Sequence, residues 1–203
     1  MLALVLLDYL GTFAFAISGA LKAVRKEMDL FGLIVLAVVT AIGGGTIRDV
    51  MVGQRPFWFA NPWYILLALL AAGLVFALYR ALSRGETVLL VFDAIGLGAF
   101  TVIGASKAMA AGLGLVPTVA LACLTGIGGG LIRDVLAQEI PVVLRKEVYA
   151  SASILGAVIY WLLEQYRVPS HFSMPAAMLI VTAIRLLSLH YGIGLPTLKT
   201  KAT

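Results

Sequence analysis

The 203-residue chain has one cysteine, Cys123, two histidines and only 12% charged residues. A single thiol excludes an intrachain disulfide and a thiolate metal cluster. Inside an apolar run it reads as a small buried hydrophobe. His171 and His190 stand alone near span ends, and there is no H-E-x-x-H, phosphate loop or dinucleotide fingerprint. Nothing here supports an enzyme, and no cofactor or resident metal is expected. No basic tract carries interleaved aromatics, so the net charge of +5 does not point to nucleic acid. No span has arginine at every third position, which argues against a voltage-sensing helix. Charge is also too scarce for a soluble domain, which is typically about 25% charged.

What fills the chain is apolar: 62% hydrophobic residues and a mean hydropathy of +1.04. A membrane-crossing helix needs about 20 such residues. Seven runs qualify, at 2–24, 31–52, 62–81, 88–110, 115–136, 147–165 and 172–191. The connections between them are short. The N-terminus lacks the basic start of a signal peptide and carries Asp8 within its apolar part, so it reads as a mature helix. The expected fold is an all-α membrane protein, with residues 1–203 as a single membrane domain and the lipid bilayer as its first partner.

Shifting the chain by 85 residues aligns it with itself. Asp8 falls on Asp93, Gly11 on Gly96, Phe15 on Phe100, Gly19 on Gly104 and Lys22 on Lys107. "TAIGGGTIRDV" (40–50) falls on "TGIGGGLIRDV" (125–135), and Pro56 on Pro141, giving 21 identities over positions 8–56 without a gap. Each copy holds three spans. Three is odd, so the second copy enters the membrane from the opposite side, and the halves are related by a two-fold axis in the membrane plane. The expected division is repeat 1 at 1–85, repeat 2 at 86–170 and an unpaired seventh helix at 171–203.

Calling the N-terminal side X and the other side Y, the basic residues are unevenly placed. Side Y holds Lys22, Arg25, Lys26, Arg80, Arg84, Arg133, Arg145, Lys146, Arg185, Lys199 and Lys201. Side X holds Arg48, Arg55, Lys107 and Arg167. By the positive-inside rule Y is cytoplasmic, with the N-terminus outside. Trp58, Trp63, Tyr64, Tyr149, Trp161 and Tyr166 flank spans and read as interfacial anchors.

The doubled glycines admit two readings. Gly43, Gly44 and Gly45, with Gly128, Gly129 and Gly130, invite a helix break beside a pathway, or they let two helices approach closely. The break is favoured here because the triplet recurs in register and charges follow it. Arg48 and Asp49 lie about 100° apart around a helix, as do Arg133 and Asp134, so each is expected to find partners on other helices. Asp8, Gly11, Phe15, Ser18, Gly19 and Lys22 form one stripe, which the second copy repeats. Depth then groups Asp8, Arg48, Asp49 and Lys107 on side X, and Asp93, Arg133, Asp134 and Lys22 on side Y. Phe15 and Phe100 lie between. Such clusters either lock the halves together or gate a wet path. If the arginines pair with acids, hydroxyls of Ser18, Thr40, Ser106 and Thr125 are left to face an ion.

"DYLGTFAFAISGALKA", "GGGTIRDV", "FDAIGLGAFTVIGASKA", "GGGLIRDV" and "PVVLRKEVYA" resemble the prokaryotic relatives of the trimeric intracellular cation channels, a family that also carries an uncharacterised-membrane-protein and a glycine-transporter label. The resemblance implies a homotrimer in the cell inner membrane. It implies a pore in each protomer between the inverted repeats, with the seventh helix outside. It implies kinks at Gly43–Gly45 and Gly128–Gly130 in the second and fifth spans, Lys22 and Lys107 facing the same path, and passage of monovalent cations, chiefly potassium. Inverted repeats suit carriers equally well, so a secondary transporter of a small zwitterion such as glycine is the alternative.

Overall fold

The computed structural model describes residues 2–82, 86–145 and 148–193. Within them every regular element is a helix: α1 (Leu2–Arg25), α2 (Leu30–Met51), α3 (Phe57–Ala60), α4 (Trp63–Leu82), α5 (Glu86–Ala110), α6 (Leu115–Leu136), α7 (Val142–Arg145), α8 (Val148–Gln165) and α9 (Ser170–His190). Of the basic residues used for orientation, Arg84, Lys146, Lys199 and Lys201 lie outside the described residues.

The seven long helices coincide with the seven apolar runs to within two residues at each end. Six are long and apolar enough to cross a membrane, and α4 holds the shorter apolar stretch Trp63–Tyr79. A backbone in hydrocarbon must satisfy its own polar groups, and a long helix does so. The outward faces are apolar, with Phe31, Leu70 and Val116 well exposed. Six such helices with apolar outward faces are those of a multi-pass membrane protein.

Helices stop where the chain reverses. Glu27, Gly53, Gly112 and Gln138 have φ of 54°, 69°, 77° and 55°. They form two pairs at the 85-residue shift, Glu27 with Gly112 and Gly53 with Gln138. The turn geometry is therefore kept even where one copy uses a side chain in the left-handed region that favours glycine. Two four-residue helices, α3 and α7, also correspond at this shift. Each follows a proline, Pro56 or Pro141, and four residues are too few for any periodic signal in the sequence.

In a bilayer the hydrophobic effect does not press helices together, so close packing must do so. Ala16, Ala20, Ala37, Ala41, Ala68 and Ala72 form a small-residue seam among α1, α2 and α4. Gly104 likewise lies against Ala122 and Thr125 of α6. The centre is built by α1 against α5 and α2 against α6, while α4 packs chiefly on α1. Its counterpart α8 packs more on α6 than on α5, because α9 lies against both α5 and α8.

Candidate functional site

At the centre α1 meets α5 through their matching stripes. The Phe15 and Phe100 rings pack 5.3 Å apart, both buried. Each ring lies against a glycine of the opposite helix, Phe15 on Gly96 and Phe100 on Gly11. One layer away α2 crosses α6. A Cβ added to Gly44 would stand 2.2 Å from the Thr125 carbonyl, and one added to Gly129 would stand 2.3 Å from the Thr40 carbonyl. No side chain fits there.

This corrects the expected helix break. Both α2 and α6 are helical throughout, triplets included. Gly44 and Gly129 serve the close approach of two backbones, which glycine alone permits. The outer members do different work: Gly43 faces the tip of Ile132, Gly45 faces the Phe57 ring, and Gly130 faces the Tyr149 hydroxyl. The Thr40 and Thr125 hydroxyls donate back to the carbonyls of Leu36 and Leu121, at 2.5 and 2.6 Å, in the usual mid-helix way. Ser106 is partly buried.

The charged residues come together at the two ends of the α1/α5 contact. On side Y, Arg133 Nη1 is 2.7 Å from Asp93 Oδ1 and also donates to Ser18 Oγ. Its Nε and Nη2 lie 2.9 Å from Asp134 Oδ1. Lys22 Nζ lies 3.8 Å from Asp134 Oδ1 and donates to Glu139. On side X, Arg48 Nε donates to Asp49 Oδ1 at 2.8 Å, and Lys107 Nζ lies 3.5 Å from the same oxygen. Asp8 departs from the expected pairing. Its Oδ2 accepts the Tyr64 hydroxyl at 3.0 Å, its Oδ1 has no hydrogen-bond partner, and no basic group lies within ion-pair distance of it among the described residues.

A second correction concerns the Arg-Asp neighbours, which were expected to find partners only elsewhere. In both copies the arginine reaches its own neighbour. The guanidinium stem is long enough to fold across 100° of helix surface, and a buried carboxylate offers it a charge-assisted bond. The aspartates also explain why the motif is doubled. Asp49 Oδ2 accepts the free Phe57 N–H at the start of α3 at 2.8 Å, and Asp134 Oδ2 accepts the Val142 N–H at the start of α7 at 3.0 Å. Each Asp thus clamps the returning chain after the proline, and each Arg balances its charge.

Tyr64 and Tyr149 are not interfacial anchors. Both are buried, Tyr64 on Asp8 and Tyr149 beside Asp93, Arg133 and Gly130. They correspond at the 85-residue shift, and that correspondence is the signal that identifies them. Arg185 on α9 is likewise buried, with its guanidinium 5.0 Å from the Tyr149 ring centre. Its placement within "MLIVTAIRLLSL" marks it as a costly intramembrane charge as well as a topology marker. Glu139 joins Lys22 and Lys26 on side Y, with Lys26 Nζ 2.8 Å away. The bonds from Lys22 and Lys26 hold its carboxyl down to about 2. Among the described residues, no group of three histidine, cysteine or acidic side chains could hold a metal.

A family model described as "Glycine transporter" matches residues 5–80 and 90–165. The UPF0126 inner membrane protein YadS of Escherichia coli (strain K12) is 42% identical over 194 residues, which is 94% of each chain. A UPF0126 membrane protein of Deinococcus radiodurans is 44% identical over 178 residues, 86% of this chain and 83% of that one. Among solved structures, one from work on conductance through TRIC cation channels has a TM-score of 0.88 and 38% identity, with 98% of both chains covered. The TRIC trimeric intracellular cation channel orthologue from Rhodobacter sphaeroides has a TM-score of 0.89 and 37% identity, over 95% of this chain and 100% of that one. With sequence and fold matched over nearly its whole length, the chain belongs to the UPF0126 membrane-protein family, which the matching family model describes as glycine transporter and whose solved relatives are TRIC cation channels.

Proposed function

We propose that the protein is a cation-permeable channel, chiefly for potassium, with one path in each protomer of a homotrimer. The path runs between two inverted three-helix repeats, residues 1–85 and 86–170, and residues 171–203 lie outside them. The protein sits in the cell inner membrane with its N-terminus outside and its C-terminus in the cytoplasm. The observation that carries this reading is the whole-chain likeness to TRIC cation channel structures. The geometry supports it. Two buried, charged clusters stand at opposite ends of the α1/α5 contact, and a double phenylalanine closes the middle.

Arginines in a cation path are a physical tension, and ion pairing relieves it. Arg48 is held by Asp49, and Arg133 by Asp93 and Asp134, so neither presents a bare positive charge. Lys22 and Lys107 are then the cations at the two mouths. An ion enters as these pairs swing aside and crosses where the α2 and α6 glycines, Gly43–Gly45 and Gly128–Gly130, meet the α1/α5 stripe. Thr40, Thr125, Ser18 and Ser106 supply oxygens along it.

The family model's description favours a second reading, a carrier for a small zwitterion such as glycine. Paired acids and bases at each end suit an ammonium and a carboxylate. Purified protein in a planar bilayer, with potassium on both sides and glycine then added, separates the two. Discrete ohmic steps indifferent to glycine are expected. Saturable uptake of labelled glycine into liposomes without current steps would make it a carrier.

A further inference from the structure

Phe15 and Phe100 correspond at the 85-residue shift and meet at the α1/α5 contact, yet they are not held alike. A Cβ added to Gly96 would stand 2.1, 2.4 and 2.7 Å from Cδ1, Cε1 and Cγ of Phe15. One added to Gly11, the counterpart of Gly96, would stand 3.3 and 3.4 Å from Cε2 and Cδ2 of Phe100, and nearer to Ala99 Cβ, at 2.9 Å. Phe15 therefore sits deep in the notch that Gly96 leaves on α5. Phe100 rests more loosely against the matching notch on α1.

The other edge of the Phe15 ring reaches α6. A Cβ added to Gly129 would stand 3.0 and 3.1 Å from Phe15 Cδ2 and Cε2. The same glycine faces the Thr40 carbonyl of α2. One buried ring thus fills the space where α1, α5 and α6 converge, beside the α2/α6 crossing. Phe100 covers it, with the two rings tilted by 34°. Along α1, Asp8 lies two turns from Phe15 toward side X, and Ser18 and Lys22 lie one and two turns toward side Y. The apolar ring therefore separates the two charged clusters. An apolar side chain that fills a path sheds water and stops a hydrated ion. A ring on two rotatable bonds can leave a glycine notch by a rotamer change, whereas the backbone contact at Gly44 and Gly129 moves only with its helices.

We propose that Phe15 is the gate of the path: its ring, seated between Gly96 and Gly129, is a hydrophobic plug, and Phe100 holds it in place. Gly96 is a positioning residue, because a side chain there would displace the ring. The inference rests on the channel reading for its effect on current, but not for the plug itself.

The test is single-channel recording of Phe15→Ala and Phe100→Ala proteins of wild-type oligomer size. Phe100→Ala loses the contact between the rings and is expected to raise open probability about fivefold. Phe15→Ala loses the plug as well and should raise it further. A readout independent of current is the rate at which a membrane-impermeant thiol reagent, added on side X, modifies Ser18→Cys in a Cys123→Ser background. Phe15→Ala should speed it several-fold, and Phe100→Ala should speed it less. Thermal unfolding reads the seat of the ring. Gly96→Ala should lower the unfolding temperature in wild type and much less in a Phe15→Ala background, where the methyl group has no ring to displace. An open probability and labelling rate that ignore Phe15→Ala, or that respond more to Phe100→Ala, overturn the gate. So does an equal loss from Gly96→Ala in both backgrounds. If neither wild type nor Phe15→Ala carried current, yet labelling and unfolding shifted as stated, the plug would stand and the channel reading would fall. Wild-type current with no response to Phe15→Ala would leave the channel reading and remove the plug.

Discussion

The charged cluster on side Y is tied down and the one on side X is loose, although 21 identities relate the residues around them. At Y, Lys22 is nearly buried, its side chain 9% exposed, between Asp134 and Glu139. At X, the matching Lys107 is 27% exposed and, among the described residues, ion-paired with Asp49, and Gln54 stands where Y has Glu139. Among the described residues Asp93 has an arginine within ion-pair distance, whereas Asp8 has the Tyr64 hydroxyl. A repeat thus preserves the backbone and the aspartate clamps of α3 and α7, while a few neighbours decide how tightly each end is closed.

The strongest way to break the comparison is at a place where both halves are equally constrained. Gly44→Ala and Gly129→Ala each push a Cβ into a backbone carbonyl, which cannot yield as a side-chain tip does. Each should lose about 3 kcal/mol or more, or fail to give folded oligomer. Gly43→Ala meets only the flexible end of Ile132 and should cost far less. Thermal unfolding in detergent ranks the three. Equal tolerance of all three would show that α2 and α6 do not cross at Gly44 and Gly129.

Next in size is the aspartate pair. Asp93→Asn strips a buried arginine of one partner, and removing one member of such a pair costs about 3 kcal/mol. Asp8→Asn removes half of a tyrosine hydrogen bond and should cost about 1 kcal/mol. The same unfolding assay reads both, and a larger loss for Asp8→Asn would reverse the assignment of tight and loose clusters.

The smallest effect concerns Glu139. Its carboxyl is held down to about 2, below the ordinary 4.5, by Lys22 and Lys26. A depressed acid contributes stability that is present above 4.5 and lost as pH falls through about 2. Water screens this half-exposed pair, so the contribution is under about 1 kcal/mol. Unfolding temperature should fall between those pH values more steeply in wild type than in Glu139→Gln. Gln54→Glu should give Lys107 the missing partner and make X more like Y, read as a small rise in unfolding temperature at pH 7 but not at pH 2.

Hydropathy and length determined the seven long helices, because a bilayer demands about 20 apolar residues per crossing and an internally bonded backbone. The 85-residue repeat determined which side chains must be considered in pairs. It brought Lys22 to Asp134 and Lys107 to Asp49, as the depth of each residue along its helix required. What the sequence could not settle was direction in space. Gly44 read as a break or as a contact, and only the crossing of α2 and α6 decided for contact. Arg48 was expected to find its partner on another helix, and only the folded structure showed its guanidinium turned onto Asp49 and beside the Phe57 ring. Arg185 stood out in its apolar run as a charge, but only the packing of α9 on α5 and α8 showed that it meets Tyr149. Periodicity along one helix is a local property, whereas the partner of a long charged side chain is settled by what the other helices leave within its reach.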